Sequence, residues 1–182
     1  MRRALTALIA GAMCFALSAC GNGGASLDAL RERIDASQSL TMTAQVASTT
    51  DGRYESYTLE CVSGPEGCTV SVLEPAELAG VTASFDAGTG LLSYDSLVLS
   101  FETPEDVTPI TALPVLVSAL RDAYETISWS EGDDTYVSLE ATDELSITLR
   151  LGADGNPVWA EFLLGGEAVS QCEITQFTIS EA

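Results

Sequence analysis

Three cysteines in the body of the chain, Cys61, Cys68 and Cys172, come closest to reactive chemistry. A thiolate nucleophile needs a neighbouring base or cation, and the chain has no histidine and no lysine; its seven basic residues are all arginines. The missing histidine also removes the usual serine triads and the commonest zinc ligand. No catalytic residue is therefore expected, and the thiols read as packing groups. Cys61 and Cys68 are close in sequence, yet a tight hairpin makes them diagonal neighbours with Cβ atoms about 7 Å apart, where a disulfide needs about 3.5 to 4.5 Å. A bridge would require a wider loop. The spacing leaves both a Cys61–Cys68 disulfide and buried free thiols open, with a pair involving Cys172 less favoured.

Carboxylates cluster at Glu131, Asp133 and Asp134, at Glu105 and Asp106, and at Asp143 and Glu144, as calcium binding or glycoside hydrolysis would need. None has the D-x-[DN]-x-[DN]-G spacing, and each falls in an expected turn. With 27 acidic residues in the chain, such pairs arise by chance and read as solvated loops. Trp129 and Trp159 have the faces to stack on sugars, but packing in a second layer is the plainer role. There is no glycine-rich phosphate loop, so neither a metal nor a cofactor is expected.

The elements that must position these residues belong to one domain. The 182 residues are 46% apolar, enough for a real core, while 27 acidic against 7 basic side chains give a net charge of −20. That field disfavours nucleic acid, polyphosphate and an anionic bilayer surface as partners.

Arg2 and Arg3 precede an uncharged apolar run over residues 4–17, followed by small residues and Cys20. This is the layout of a secretory signal peptide, too short to remain as a membrane span, which takes about 20 helical residues. Leu17-Ser18-Ala19-Cys20 resembles a bacterial lipobox, in which the cysteine receives diacylglycerol and cleavage falls just before it. Residues 1–19 are thus expected as a signal peptide, Cys20 as the lipidation site, and residues 20–26 as anchor and glycine-rich spacer. Two acyl chains give stable anchoring on the extracytoplasmic face of the cell membrane, or on the outer membrane of a Gram-negative cell. From Cys20 onward five basic residues face all 27 acidic ones, a balance of −22, so close contact with anionic lipid is repelled.

Residues 27–182 read as one helix followed mostly by strands. Leu27, Leu30 and Ile34 recur at helical spacing behind the capping residue Ser26. From Leu40 the apolar period becomes two. Asp51-Gly52 sets a hairpin that places Val46, Ala44 and Met42 opposite Tyr57, Leu59 and Cys61, and the turn at 64–67 places Cys61 and Leu59 opposite Val70 and Val72. Further strands are expected at 81–85, 90–94, 97–101, 127–130 and 136–139. Asp154-Gly155 centres a hairpin in which Leu151 faces Val158, Leu149 faces Ala160 and Ile147 faces Phe162. A phase slip between Ile174 and Phe177 predicts a bulge. In mid-chain, residues 112–125 carry Leu113, Leu116, Val117, Leu120 and Tyr124 on one helical stripe, with Thr111 as the cap and Pro114 in the first turn. The fold class is mainly β (α+β): an antiparallel half-barrel of about eleven strands, with an N-terminal helix and a mid-chain lid helix on the concave side.

This order of lipobox, short helix, strands, proline-marked helix and final meander is similar to the lipoprotein-carrier superfamily of LolA/LolB-like half-barrels. Residues 30–46, 108–124 and 148–177 carry the resemblance. It implies an apolar cavity under a helical lid, and it raises Met42, Tyr57, Leu59, Val70, Phe85, Leu116, Leu120, Ile147, Leu149 and Phe162 from core residues to candidates for binding an acyl chain or lipid. The soluble carrier lacks a lipobox, whereas the outer-membrane receptor has one; that receptor's protruding loop has no counterpart assigned here. Clostridial germination lipoproteins resemble the chain in layout as well, and they imply the alternative of a tethered module that binds an envelope protein.

Overall fold

A computed structural model describes residues 26–50, 53–86, 88–102 and 107–181. The expected signal peptide, Cys20, most of the spacer, the Asp51-Gly52 turn and the Glu105/Asp106 cluster lie outside the described residues.

Helix α1 (Leu27–Asp35) starts at Ser26, whose side chain accepts from the Ala29 N–H at 3.2 Å, and it buries Leu27, Leu30 and Ile34. The strands are β1 (Ser37–Thr50), β2 (Arg53–Gly64), β3 (Gly67–Glu74), β4 (Thr82–Asp86), β5 (Thr89–Tyr94) and β6 (Leu97–Glu102). After helix α2 (Pro109–Asp122) come β7 (Tyr124–Glu131), β8 (Asp134–Glu140), β9 (Leu145–Leu151), β10 (Pro157–Leu164) and β11 (Glu167–Glu181). All eleven form one antiparallel sheet in the order β6-β5-β4-β3-β2-β1-β11-β10-β9-β8-β7. β6 and β7 are its two edges, so the sheet is open, a half-barrel with two helices.

The register follows the period-two pattern. Val46, Ala44 and Met42 pair with Tyr57, Leu59 and Cys61, and Cys61 and Leu59 pair with Val70 and Val72. The bulge expected near Ile174 is present: Thr43 pairs with Gln176 and Ala44 with Ile174, leaving Thr175 between them, its hydroxyl donating to the Thr43 carbonyl.

Two local expectations are corrected. Leu149 faces Ala160 and Ile147 faces Phe162, but Leu151 faces Pro157 rather than Val158. The chain turns over Gly152 to Asn156, with the Gly152 N–H donating to the Asn156 carbonyl, and Val158 becomes the extra residue of a bulge. The bulge brings Pro157, which has no N–H for the ladder, to a buried place on the concave face.

The mid-chain helix also begins earlier and ends sooner than the stripe indicated. Thr108 is its cap and Pro109 its first residue, where a missing N–H costs nothing, while Thr111 sits in the first turn and accepts from the Thr108 N–H at 2.8 Å. Pro114 therefore lies inside the helix. At the far end Ala123 is extended, so Tyr124 and Glu125 open β7 and Tyr124 is solvent-exposed. Arg31 of α1 donates to the carbonyls of Leu120 and Ala123 there, binding the end of one helix to the side of the other.

The core lies between the concave face of the sheet and the helices. α2 packs on β1, β2, β3 and β11, and α1 on β1 and α2. Leu113, Leu116, Val117 and Leu120 from the helix stripe meet Met42, Leu59, Cys61 and Val70 in one buried cluster that extends to Ile147, Leu149 and Phe162.

Candidate functional site

The two wings of the concave face are built alike and covered differently. On the β7–β9 side, Val137, Leu139, Ile147, Leu149 and Leu151 of β8 and β9 are all buried, while the edge strand β7 is exposed along nearly its whole length. On the β4–β6 side, register runs from buried Ala83 to Leu92 and Leu99, so by strand alternation Tyr94, Leu97 and Phe101 share the concave face. Here Tyr94 is 48%, Leu97 58% and Leu99 51% exposed. An exposed apolar surface of this kind on the inside of a curved sheet is a place where a further apolar body would gain by docking.

That wing continues into a groove of about 220 Å³ beside the N-terminus of α2, lined by Glu55, Tyr57, Leu59, Val72, Thr108, Pro109 and Ile110. Leu59 and Val72 are buried and form its floor. Val72 hydrogen-bonds Val81 at 2.9 Å, which links the floor to the start of the exposed wing. Sites for drug-sized ligands usually exceed about 300 Å³, so the groove holds such a ligand only together with the wing. Polar groups at its rim are few: the Tyr57 hydroxyl donates to Glu55 at 3.1 Å, and burial first, then this carboxylate, raises the Tyr57 pKa above its ordinary value.

Of the sequence-derived ligand candidates, Tyr57 and Leu59 line this groove. Met42, Val70, Leu116, Leu120, Ile147, Leu149 and Phe162 are fully buried in the core. Phe85 packs edge-on to Phe101, with ring centroids 6.0 Å apart, and borders a separate cleft near the C-terminal half of α2. The exposed residues Tyr94, Leu97 and Leu99 were not distinguishable in sequence, because alternation marks which face a residue takes and not what covers that face.

The chain is similar in structure to several solved proteins. A LolA superfamily protein, NE2245 from Nitrosomonas europaea, is 14% identical and covers 86% of this chain and 94% of its own, with a TM-score of 0.46. A putative outer membrane lipoprotein-sorting protein domain from Vibrio parahaemolyticus is 8% identical over 86% and 92%, at 0.45. The Mycobacterium tuberculosis lipoprotein LppX is 12% identical over 83% and 93%, at 0.38. No family model and no curated protein matches the sequence.

Among the described residues no group of cysteine and acidic side chains could hold a metal ion. Asp134 instead pairs with Arg150 at 3.7 Å. Trp129 stacks on Tyr136 with centroids 5.3 Å apart, and Trp159 stands opposite Arg150 and Glu173 on the convex face. Cys172 is buried, and burial pushes its thiol pKa up to about 12. No helix of the described residues is long and apolar enough to cross a membrane.

The cysteine pair departs from expectation. Its strand register is the predicted one, with Cys61 opposite Val70 and Cys68 opposite Ser63, yet the two Sγ atoms lie 2.9 Å apart. Sheet twist closes one diagonal of an antiparallel pair and opens the other, and leaning side chains cover the remaining distance.

Proposed function

We propose that the chain is a non-enzymatic envelope lipoprotein, anchored through diacylglycerol on Cys20 after removal of residues 1–19, whose domain takes an acyl chain or similar apolar ligand into its trough. The anchor places it on the extracytoplasmic face of the cell membrane, or on the outer membrane in a Gram-negative cell, with residues 21–26 as the tether. The observation that carries the ligand reading is the uncovered concave wing of Tyr94, Leu97 and Leu99 running into the groove floored by Leu59 and Val72. Tyr57 meets the ligand at the rim of the groove and Leu59 at its floor. Met42, Val70, Leu116, Leu120, Ile147, Leu149 and Phe162 join the contact only when α2, the lid, shifts, and Phe85 does so from the opposite end. Burial of one leucine is worth about 1.5 to 3 kcal/mol, so Leu99→Glu should weaken binding of a fluorescent fatty acid to the full-length protein by tenfold or more. Val98→Glu, on the convex face of the same strand, should leave it unchanged. Equal effects, or no binding by the unsubstituted protein, would overturn this reading.

A second reading, a tethered module that binds an envelope protein, draws on β6. It is an edge strand with Leu97, Val98 and Leu99 exposed, open to pairing with an added strand. In that case Val98→Glu disrupts a stoichiometric partner complex that survives delipidation, while fatty-acid binding is absent.

A further inference from the structure

We propose that Cys61 and Cys68 form an oxidisable dithiol, in which Cys68 attacks a small disulfide that enters a cleft beside Arg121 and Cys61 resolves the adduct into an intramolecular bond. This goes beyond the apolar trough and does not depend on it. The Sγ atoms are 2.9 Å apart, and the two residues differ in access: Cys61 is fully buried, whereas Cys68 is half-buried and lines a cleft of about 350 Å³. That volume falls in the range of small-molecule sites. Arg121, from the last turn of α2, faces the same cleft and reaches Ser63 Oγ at 3.5 Å, directly across the strand from Cys68. The hydrogen bond from Cys61 first, and the nearby Arg121 guanidinium after it, hold the Cys68 thiol below its ordinary pKa; the same pairing and burial push Cys61 up. The pair thus has an attacking partner and a resolving partner.

The chemistry balances with a disulfide R–S–S–R as oxidant. The Cys68 thiolate attacks one sulfur, the R–S–S–R bond breaks, and one RS⁻ leaves with the proton that Cys68 gave up. Cys61 then attacks Cys68 Sγ in the mixed disulfide, forming the Cys61–Cys68 bond and expelling the second RS⁻, which takes the Cys61 proton. Two thiols are oxidised and one disulfide is reduced to two RSH. The new bond welds the turn between β2 and β3, where Gly67 has φ +126° and a Cβ would lie 2.5 Å from the Phe85 carbonyl oxygen.

Full-length folded protein is incubated with glutathione disulfide, acid-quenched, alkylated under denaturing conditions and digested without reduction. Expected are Cys61 and Cys68 joined, two hydrogens lighter and resistant to alkylation, while Cys172 is alkylated. The link should form faster than in urea-unfolded protein. Cys61→Ala should stop at a stable glutathione adduct on Cys68, and Cys68→Ala should form no adduct at Cys61. The inference is overturned if both thiols remain alkylatable after treatment of folded protein, if the adduct on Cys68 persists in the unsubstituted protein, if a link to Cys172 forms instead, or if unfolding does not slow the reaction.

Discussion

The Nε of Arg31 donates to the Leu120 carbonyl at 2.9 Å, so a residue from the first helix caps the end of the second, 89 positions away. A second guanidinium nitrogen of Arg31 donates to the Ala123 carbonyl. Hydrogen bonds from a charged group contribute about 1.5 to 3 kcal/mol, and a cation at a helix C-terminus adds to this. Arg31→Ala should therefore destabilise the domain by about 2 kcal/mol, lowering the thermal midpoint by roughly 4 to 8 °C for a chain of this size. Arg33→Ala, which removes only an exposed hydrogen bond to Asn156, should cost less than about 0.5 kcal/mol. Equal shifts in calorimetry would show that the cap contributes nothing.

The glycine in the turn between β2 and β3 is held by two constraints at once. Gly67→Ala meets both a backbone conformation that disfavours side chains and the Phe85 carbonyl, with no flexible group able to yield. A loss of about 3 kcal/mol is expected. Gly132, at φ +64° with nothing within 4 Å of its would-be Cβ, tests conformation alone and should lose about 1 kcal/mol as alanine. Urea unfolding midpoints distinguish the two; similar losses would mean the close approach to Phe85 relaxes freely.

Cys172 makes stability depend on alkaline pH. Its folded pKa of about 12 exceeds its ordinary value of 9.0, so between these values the unfolded chain releases a proton that the folded chain retains. The thiol's contribution is complete below pH 9 and is lost as pH rises toward 12, at about 1.4 kcal/mol per unit at most. Cys172→Ala should flatten that part of the stability profile measured by urea unfolding. An unchanged slope would assign the alkaline loss to other groups.

Phe162 lies fully buried where β9 and β10 pair, opposite Ile147. Phe162→Ala should cost about 3 to 5 kcal/mol. Trp129→Ala, which removes a stacking partner of Tyr136 at an exposed edge, should cost about 1 kcal/mol. Reversal of this order would contradict the burial of Phe162 in the core and the exposure of the edge strand that carries Trp129.

Much of the architecture was legible because polarity alternates so strictly. Once Asp51-Gly52 is read as a turn, Val46 must meet Tyr57 and Met42 must meet Cys61, since any one-residue slip would turn the apolar set to solvent. The Thr175 bulge was visible for the same reason. The Val158 bulge was not, because Val158 is as apolar as its neighbours and only the buried place of Pro157 reveals the slip. The start of α2 escaped because Thr108 and Thr111 are equally good caps by type, and their mutual hydrogen bonding decides between them. The site itself was hardest to read. Leu97 and Leu99 alternate just as Ile147 and Leu149 do, yet the first pair is exposed and the second fully buried, a difference made by long-range packing and absent from local spacing.

Because β1 pairs with β11 in the middle of the sheet, the two halves of this molecule are each local meanders joined along a single seam. Either half can zip by short-range steps, but the seam forms only after all ten preceding strands have been delivered ahead of β11. Closure at that seam should therefore set the folding time, and until it happens two unfinished edges stand open to chaperones and proteases alike.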